Sequence, residues 1–189
     1  MKPISPIPQN PVSNSFEWRE WLTSVFHHIK NDEDKEGLNC SLSYNVTQTF
    51  AAANTAYLVL FNSVDAASKF TLVNNAAVAE VAGTYNIQFS IQVENTSTSI
   101  ETVYIWLRKN GVDVVGTGSK FDVNAKHGSS NGYLVPVANF FVYLAAGDSI
   151  SLAAAVTNTT VTFEAYSAQT TPWAMPAIPS NVMTVSQVV

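Results

Sequence analysis

The sequence is short of charge and nearly free of cysteine, and each shortage removes a class of protein. Charged residues make up 12% of 189, about half the usual share of roughly 25%. Nine Lys and Arg stand against 14 Asp and Glu, a net charge of −5. There is therefore no basic footprint for nucleic acid, and nothing that draws the chain to an anionic membrane surface. A single cysteine, Cys40, forms no internal disulfide, which excludes the small secreted scaffold held by bridges. No stretch reaches the roughly 20 uninterrupted apolar residues of a membrane span; the longest, residues 133–146, is broken by Pro136 and Asn139. The opening Met1-Lys2-Pro3-Ile4-Ser5-Pro6 has no apolar core of the kind a signal peptide needs. The expectation is a soluble chain made in the cytoplasm and not secreted.

What is present is 47% hydrophobic residues among many Ser, Thr, Asn and Gln. Either the exposed surface is neutral and polar, or partners cover much of it. The length suits one domain with an appendage. Pro3, Pro6, Pro8 and Pro11 give residues 1–14 the character of an extended, polyproline-like arm. A helix is expected over residues 15–30, with Asn14 as cap and Glu17 completing a capping box. Its apolar stripe is Trp18, Trp21, Leu22, Val25 and Ile29. Residues 31–37 read as a charged, solvated linker.

From residue 38 to 189 the period changes to two. Tyr85, Ile87, Phe89, Ile91 and Val93 alternate with Asn86, Gln88, Ser90, Gln92 and Glu94, a strand with one core face and one polar face. The next strand, 103–107, leads through Asn110-Gly111, a dipeptide suited to a type I′ hairpin, into 112–115. Further strands are expected at 121–125, 133–144, 150–156, 161–166 and 182–189, and earlier ones at 41–50, 57–62 and 70–73. Many short strands without interleaved helices predict an all-β fold, an antiparallel jelly-roll sandwich behind a short N-terminal arm and one α-helix.

Three motifs then fall in order: Ala82-Gly83-Thr84-Tyr85, Lys109-Asn110-Gly111, and Leu144-Ala145-Ala146-Gly147-Asp148. Together they resemble the globular head of complement and the tumour-necrosis-factor superfamily. The resemblance is strongest from about residue 81 to the C-terminus and extends back to 38. It implies a ten-stranded jelly roll that associates as a compact trimer, with aromatic and aliphatic side chains meeting on the threefold axis. The flanks resemble small virion proteins of tailed bacteriophages. These are Pro6-Ile7-Pro8-Gln9-Asn10-Pro11 before the Trp-rich helix, and residues 168–180, which hold Pro172, Trp173, Pro176 and Pro179, before a last strand.

Chemistry is harder to find. The three histidines are His27, His28 and His127, and no Ser or Cys sits in a Gly-x-Ser-x-Gly elbow. A Cys40–His127 pair has no local support. The acidic residues of the sandwich mostly adjoin turns, and no pair can be given the separation a glycosidase needs. Asp148 reads as a turn residue beside Gly147. Asp32-x-Asp34-x-Glu36-Gly37 starts like a calcium loop, but Ser43 stands where the twelfth-position Glu belongs. Asn39, Asn45, Asn95 and Asn158 each open an Asn-x-Ser/Thr triplet, read as chance matches. No catalytic residue, metal site or cofactor is expected, and the chain is not read as an enzyme.

The stripe on the helix can pack on the chain's own sandwich or on something else. Placed between a Pro-rich arm and a hydrophilic linker, and holding two tryptophans, it suits an interface. Pro6, Pro8, Pro11, Trp18, Trp21, Leu22, Val25 and Ile29 are the expected anchor. Gly116, Gly118, Lys120, Lys126, His127 and Gly132 are expected in outer-surface loops. The function expected is that of a bacteriophage virion structural protein. It would be a homotrimer tied by its arm to the major capsid protein or another virion protein, as a decoration or cement protein or a short head fibre. The alternative is a tail-fibre module that binds a receptor or host-surface glycan, with the loops 116–120 and 126–132 as its contact surface.

Overall fold

Alternation decides which way the central strand faces: Tyr85, Ile87, Phe89 and Ile91 are all at most 2% exposed, while Gln88 between them faces out. The structure, a computed structural model, describes residues 19–26 and 37–188. It divides into two units, Met1–Leu38 and Asn39–Val189. In the first, residues 19–26 form a helix, α1, where the Thr23 hydroxyl donates to the Arg19 carbonyl at 2.8 Å.

The second unit is an antiparallel β-sandwich of jelly-roll type. Its first sheet is built from β1 (Asn39–Tyr44), β3 (Ser63–Ser68), β6 (Gly83–Ile91), β12 (Val137–Leu144) and β15 (Asn181–Gln187), in the order β12-β6-β15-β1-β3. The second sheet has β4 (Phe70–Val73), β5 (Ala76–Ala79), β8 (Glu101–Lys109), β10 (Ser119–Val123) and β13 (Ser149–Val156), in the order β10-β8-β13-β5-β4. Two short strands, β2 (Tyr57–Leu58) and β9 (Val112–Asp113), pair with β13 and β8. A small third sheet orders β11 (Gly132–Leu134), β7 (Val93–Asn95) and β14 (Val161–Phe163) as β11-β7-β14.

The core takes Leu42, Ile105, Leu107, Ile150, Leu152 and Met183, each with no exposure, onto the β6 row. Phe70 meets Tyr85 edge-on at 5.1 Å, and Phe50 meets Phe163 at 5.0 Å. Such pairs contribute about 1 kcal/mol beyond their buried area.

Several expected strands change extent, each for a physical reason. The run 133–144 is two strands, because Pro136 has no N–H to give a ladder. The expected 57–62 stops at Leu58, where the Gln48 amide takes over: its Nε2 donates to the Leu58 carbonyl at 2.7 Å and its Oε1 accepts from the Leu60 N–H at 3.0 Å. The strand expected over 41–50 ends at Tyr44, with Gln48 making only an isolated bridge to Phe163. The strand expected over 161–166 ends at Phe163, and Tyr166 bridges Ile178 instead. Strands β3 and β5 were not expected. They flank Phe70–Val73, and the left-handed pair Asn74 (φ 50°) and Asn75 (φ 63°) turns β4 into β5. The hairpin at Asn110 (φ 51°) and Gly111 (φ 77°) has the backbone a type I′ turn requires.

Two of the three family-like motifs bond to each other. Asn110 Nδ2 donates to Asp148 Oδ1 at 2.7 Å, and the Ser149 N–H donates to Asn110 Oδ1 at 2.8 Å. Lys109 Nζ lies 2.8 Å from Asp148 Oδ2 and donates to the Tyr143 carbonyl at 2.9 Å. The clasp thus ties β8 of the second sheet to β12 of the first. Three donors and the lysine charge hold the Asp148 carboxyl down at about 2.

Candidate functional site

The two large sheets differ in charge. The five strands of the first sheet contain one charged residue, Asp65 in β3. It sits where the β1–β3 register shifts, and it accepts from the Ser43 and Ser63 hydroxyls at 2.9 and 3.0 Å. Away from the core, this sheet presents a carpet of small neutral groups. In adjacent rows Ser90, Val182 and Ser43 are register partners, as are Gln88, Thr184 and Ser41. The second sheet and its β9 extension carry Glu101, Arg108, Lys109, Asp113, Lys120 and Asp122.

The uncharged sheet ends in an aromatic edge. β12 is the terminal strand, paired only with β6. Val137, Asn139, Phe141 and Tyr143 point away from the core, and Val137, Phe141 and Tyr143 are 62%, 65% and 60% exposed. Just before it, Tyr133 and Val135 are also exposed. Edge strands normally carry charge, proline or a bulge within them to discourage pairing with another chain; β12 has no charge in its eight residues. Beside Phe141 across the ladder stands Asn86, whose buried Oδ1 accepts no hydrogen bond among the described residues.

The second sheet offers a concavity instead. Strand β8 alternates Val103, Ile105 and Leu107 into the core with Tyr104 and Trp106 outward. Their cross-strand neighbours on β13 are Ala155 and Ala153, which leave the rings standing above a flat floor. The result is a groove of about 590 Å³ walled by Tyr104 and Trp106, with Gly118, Ser119 and Lys120 along one side and Asn54 at the rim. The indole N–H of Trp106 donates to Asp113 Oδ1 at 2.8 Å, which fixes the ring. Asp113 in turn holds Arg108 Nε at 2.9 Å.

Several titratable groups elsewhere are buried or hydrogen-bonded. Cys40 is buried in β1, and burial, then the nearby Asp65 charge, push its thiol up to about 11. It is protonated at neutral pH and lacks the thiolate a nucleophile requires. The backbone of His127 closes an isolated bridge with Ser130. On the third sheet, Glu94 accepts from Asn131 Nδ2 and from the Tyr166 hydroxyl, and Glu164 accepts from Thr47 and Thr162. Burial, then Glu94, raise the Tyr166 phenol well above its ordinary range. Among the described residues no three His, Cys, Asp or Glu gather as a metal site, and no helix is long and apolar enough to cross a membrane.

Of the anchor residues expected from sequence, Trp21, Leu22 and Val25 lie on α1; Pro6, Pro8, Pro11, Trp18 and Ile29 lie outside the described residues, as do Asp32, Asp34 and Glu36. Of the residues expected in outer-surface loops, Gly116, Gly118, Lys120 and His127 are exposed and Lys126 is half-exposed, with Gly132 the exception. Gly116, Gly118 and Lys120 precede or open β10, whereas Lys126 and His127 follow it, so the extended strand holds the two groups at its opposite ends. Gly132 is not a surface contact at all. It is buried in β11, where a Cβ would stand 1.8 Å from the Asn124 carbonyl oxygen, so only glycine fits. Asn95, the start of an Asn-x-Ser triplet, is fully buried, its Nδ2 donating to the Ser99 and Asn124 carbonyls at 2.9 and 3.0 Å. Sequence reasoning overlooked Phe141, Tyr143, Tyr104 and Trp106. The signal was available: aromatic rings on the face of a strand that alternation assigns to solvent.

No protein-family model matches the chain, and no curated protein matches it.

Proposed function

We propose that this chain is a structural protein of a tailed-bacteriophage virion. In this reading its jelly roll assembles as a homotrimer, and residues 1–30 tie it to the major capsid protein or another virion protein, as decoration or a short head fibre. The observation that carries the reading is the first sheet, with one charged residue in five strands and an exposed aromatic edge on β12. Interface cores are depleted of charge and enriched in aromatic residues, and an uncharged edge strand is a template for association. Burying the exposed part of a ring such as Phe141 contributes about 2 kcal/mol, and several such side chains per subunit together offset the entropy cost of association. The two main sheets hold twelve strands, ten along the sheet paths and the two-residue β2 and β9 beside them, where the resemblance to the complement and tumour-necrosis-factor heads implies ten.

Light scattering tests the assembly. The expected mass is three times the 20.5 kDa of one chain, and a strict monomer at micromolar concentration overturns the trimer. Attachment is tested by deleting residues 1–30: the remaining protein should stay an assembly of three chains but no longer bind particles. Normal decoration of virions by the shortened chain removes the anchoring role.

A further inference from the structure

The geometry points to a second site: the Tyr104–Trp106 groove on the charged sheet binds a glycan, taking a pyranose ring against the two aromatic faces. This goes beyond the assembly reading, because the groove lies on the sheet opposite β12 and is complete within one chain.

Four observations select the ligand. The groove, at about 590 Å³, is within the size range of small-molecule sites, which combine apolar walls with a few polar groups. Its polar lining comes from Asn54 and Lys120, with no Asp or Glu among the lining residues; Ser119 also borders it, but as register partner of core-facing Ile105 it turns its hydroxyl to the other face. These donors suit the hydroxyls of a sugar, whose C–H faces stack on the rings. Strand β8, which carries both rings, is paired along both sides, to β10 and to β13, so a peptide cannot add as a strand beside the rings; the open edge of this sheet is β10. Finally, the Trp106 N–H is committed to Asp113. An aromatic groove for a proline-rich peptide needs a donor for the peptide carbonyls. Here the indole offers its face and keeps its N–H occupied. A stacked single-stranded nucleic acid is opposed by the net charge of −5.

The test uses the full chain on a printed glycan array. Saturation-transfer NMR follows, with the methyl glycosides of glucose, galactose, N-acetylglucosamine and glucuronic acid at millimolar concentration. At least one sugar should bind, with its ring C–H protons receiving the strongest transfer. Trp106→Ala should weaken binding at least about tenfold, Tyr104→Ala about as much, and Asn54→Ala less. Because Trp106→Ala removes a half-buried ring, Ala155→Arg supplies an independent block: it fills the floor from a neighbouring strand and should abolish binding while the thermal transition stays near wild type. Phe141→Glu should leave binding intact, so that failure of the assembly reading and failure of the groove give different results. A blank array together with no saturation transfer overturns the proposal. So does binding unchanged by Tyr104→Ala and Ala155→Arg, or a proline-rich peptide that binds through Tyr104 and Trp106 where sugars do not.

Discussion

The outer faces of the two large sheets use similar aromatic side chains for opposite ends. On the first sheet, Phe141 and Tyr143 stand at an open edge next to rows of Ser, Thr, Asn and Gln, with Asp65 as the one charge. On the second, Tyr104 and Trp106 stand mid-sheet, ringed by the ion pairs Arg108–Asp113 and Lys120–Asp122. An aromatic residue in a neutral setting at an edge is suited to burial against a copy of itself. The same residue in a charged, strand-paired setting keeps its neighbourhood wet and leaves only the ring face for a ligand. The lesson is that the setting assigns the role.

The comparison breaks most visibly under a charge swap. Phe141→Glu should reduce the solution mass from three chains to one, whereas Tyr104→Glu should leave it unchanged. Equal effects would mean that the sheets are not specialised. Next in size is a change belonging to neither face. Asn95→Ala empties a fully buried side-chain position and removes the donor that ties β7 to the chain at the Ser99 and Asn124 carbonyls. It should cost about 2–4 kcal/mol in urea unfolding, with the groove's fold and the edge strand lost in one transition. Two separate transitions would show that the sheets fold independently.

The smallest effect concerns the clasp that joins the sheets. Asp148 titrates at about 2 in the folded chain against the ordinary 3.8. A depressed folded value means its stabilising contribution is complete above pH 3.8 and lost as pH falls through about 2. The pair lies near the surface, with 17% of the Asp148 side chain and 32% of the Lys109 side chain exposed, and solvent screens it, so the effect is small. Asp148→Asn should lower the melting temperature by a few degrees at pH 7, and the difference from wild type should vanish near pH 2. A constant difference across that range would assign the loss to geometry and not to the carboxylate charge.

Much of the sandwich was legible because alternation is a local signal. Tyr85 to Ile91 and Phe70–Val73 needed only their own side chains to declare themselves, and Asn110-Gly111 carried its turn in two residues. Ser-Val-Asp-Ala-Ala-Ser of β3 and Ala-Ala-Val-Ala of β5 have no such pattern. They are strands because β1 and β4 present ladders to them. The end of β2 at Leu58 is fixed by Gln48, ten residues away, through its side-chain amide. Gly132 looked like a loop glycine until the Asn124 carbonyl was placed beside it. The candidate surfaces were half legible. Alternation already put Tyr104, Trp106, Phe141 and Tyr143 outward, but only the strand order showed which pair sits mid-sheet and which at an open end.

The scarcity of ions on the first sheet also bears on the medium in which an assembly persists. Contacts made through such a face have almost no Coulomb attraction to lose. A rise in ionic strength that shortens the Debye length from about 30 Å to about 3 Å would leave them standing. A particle coat fastened this way would hold equally in rainwater and in brine.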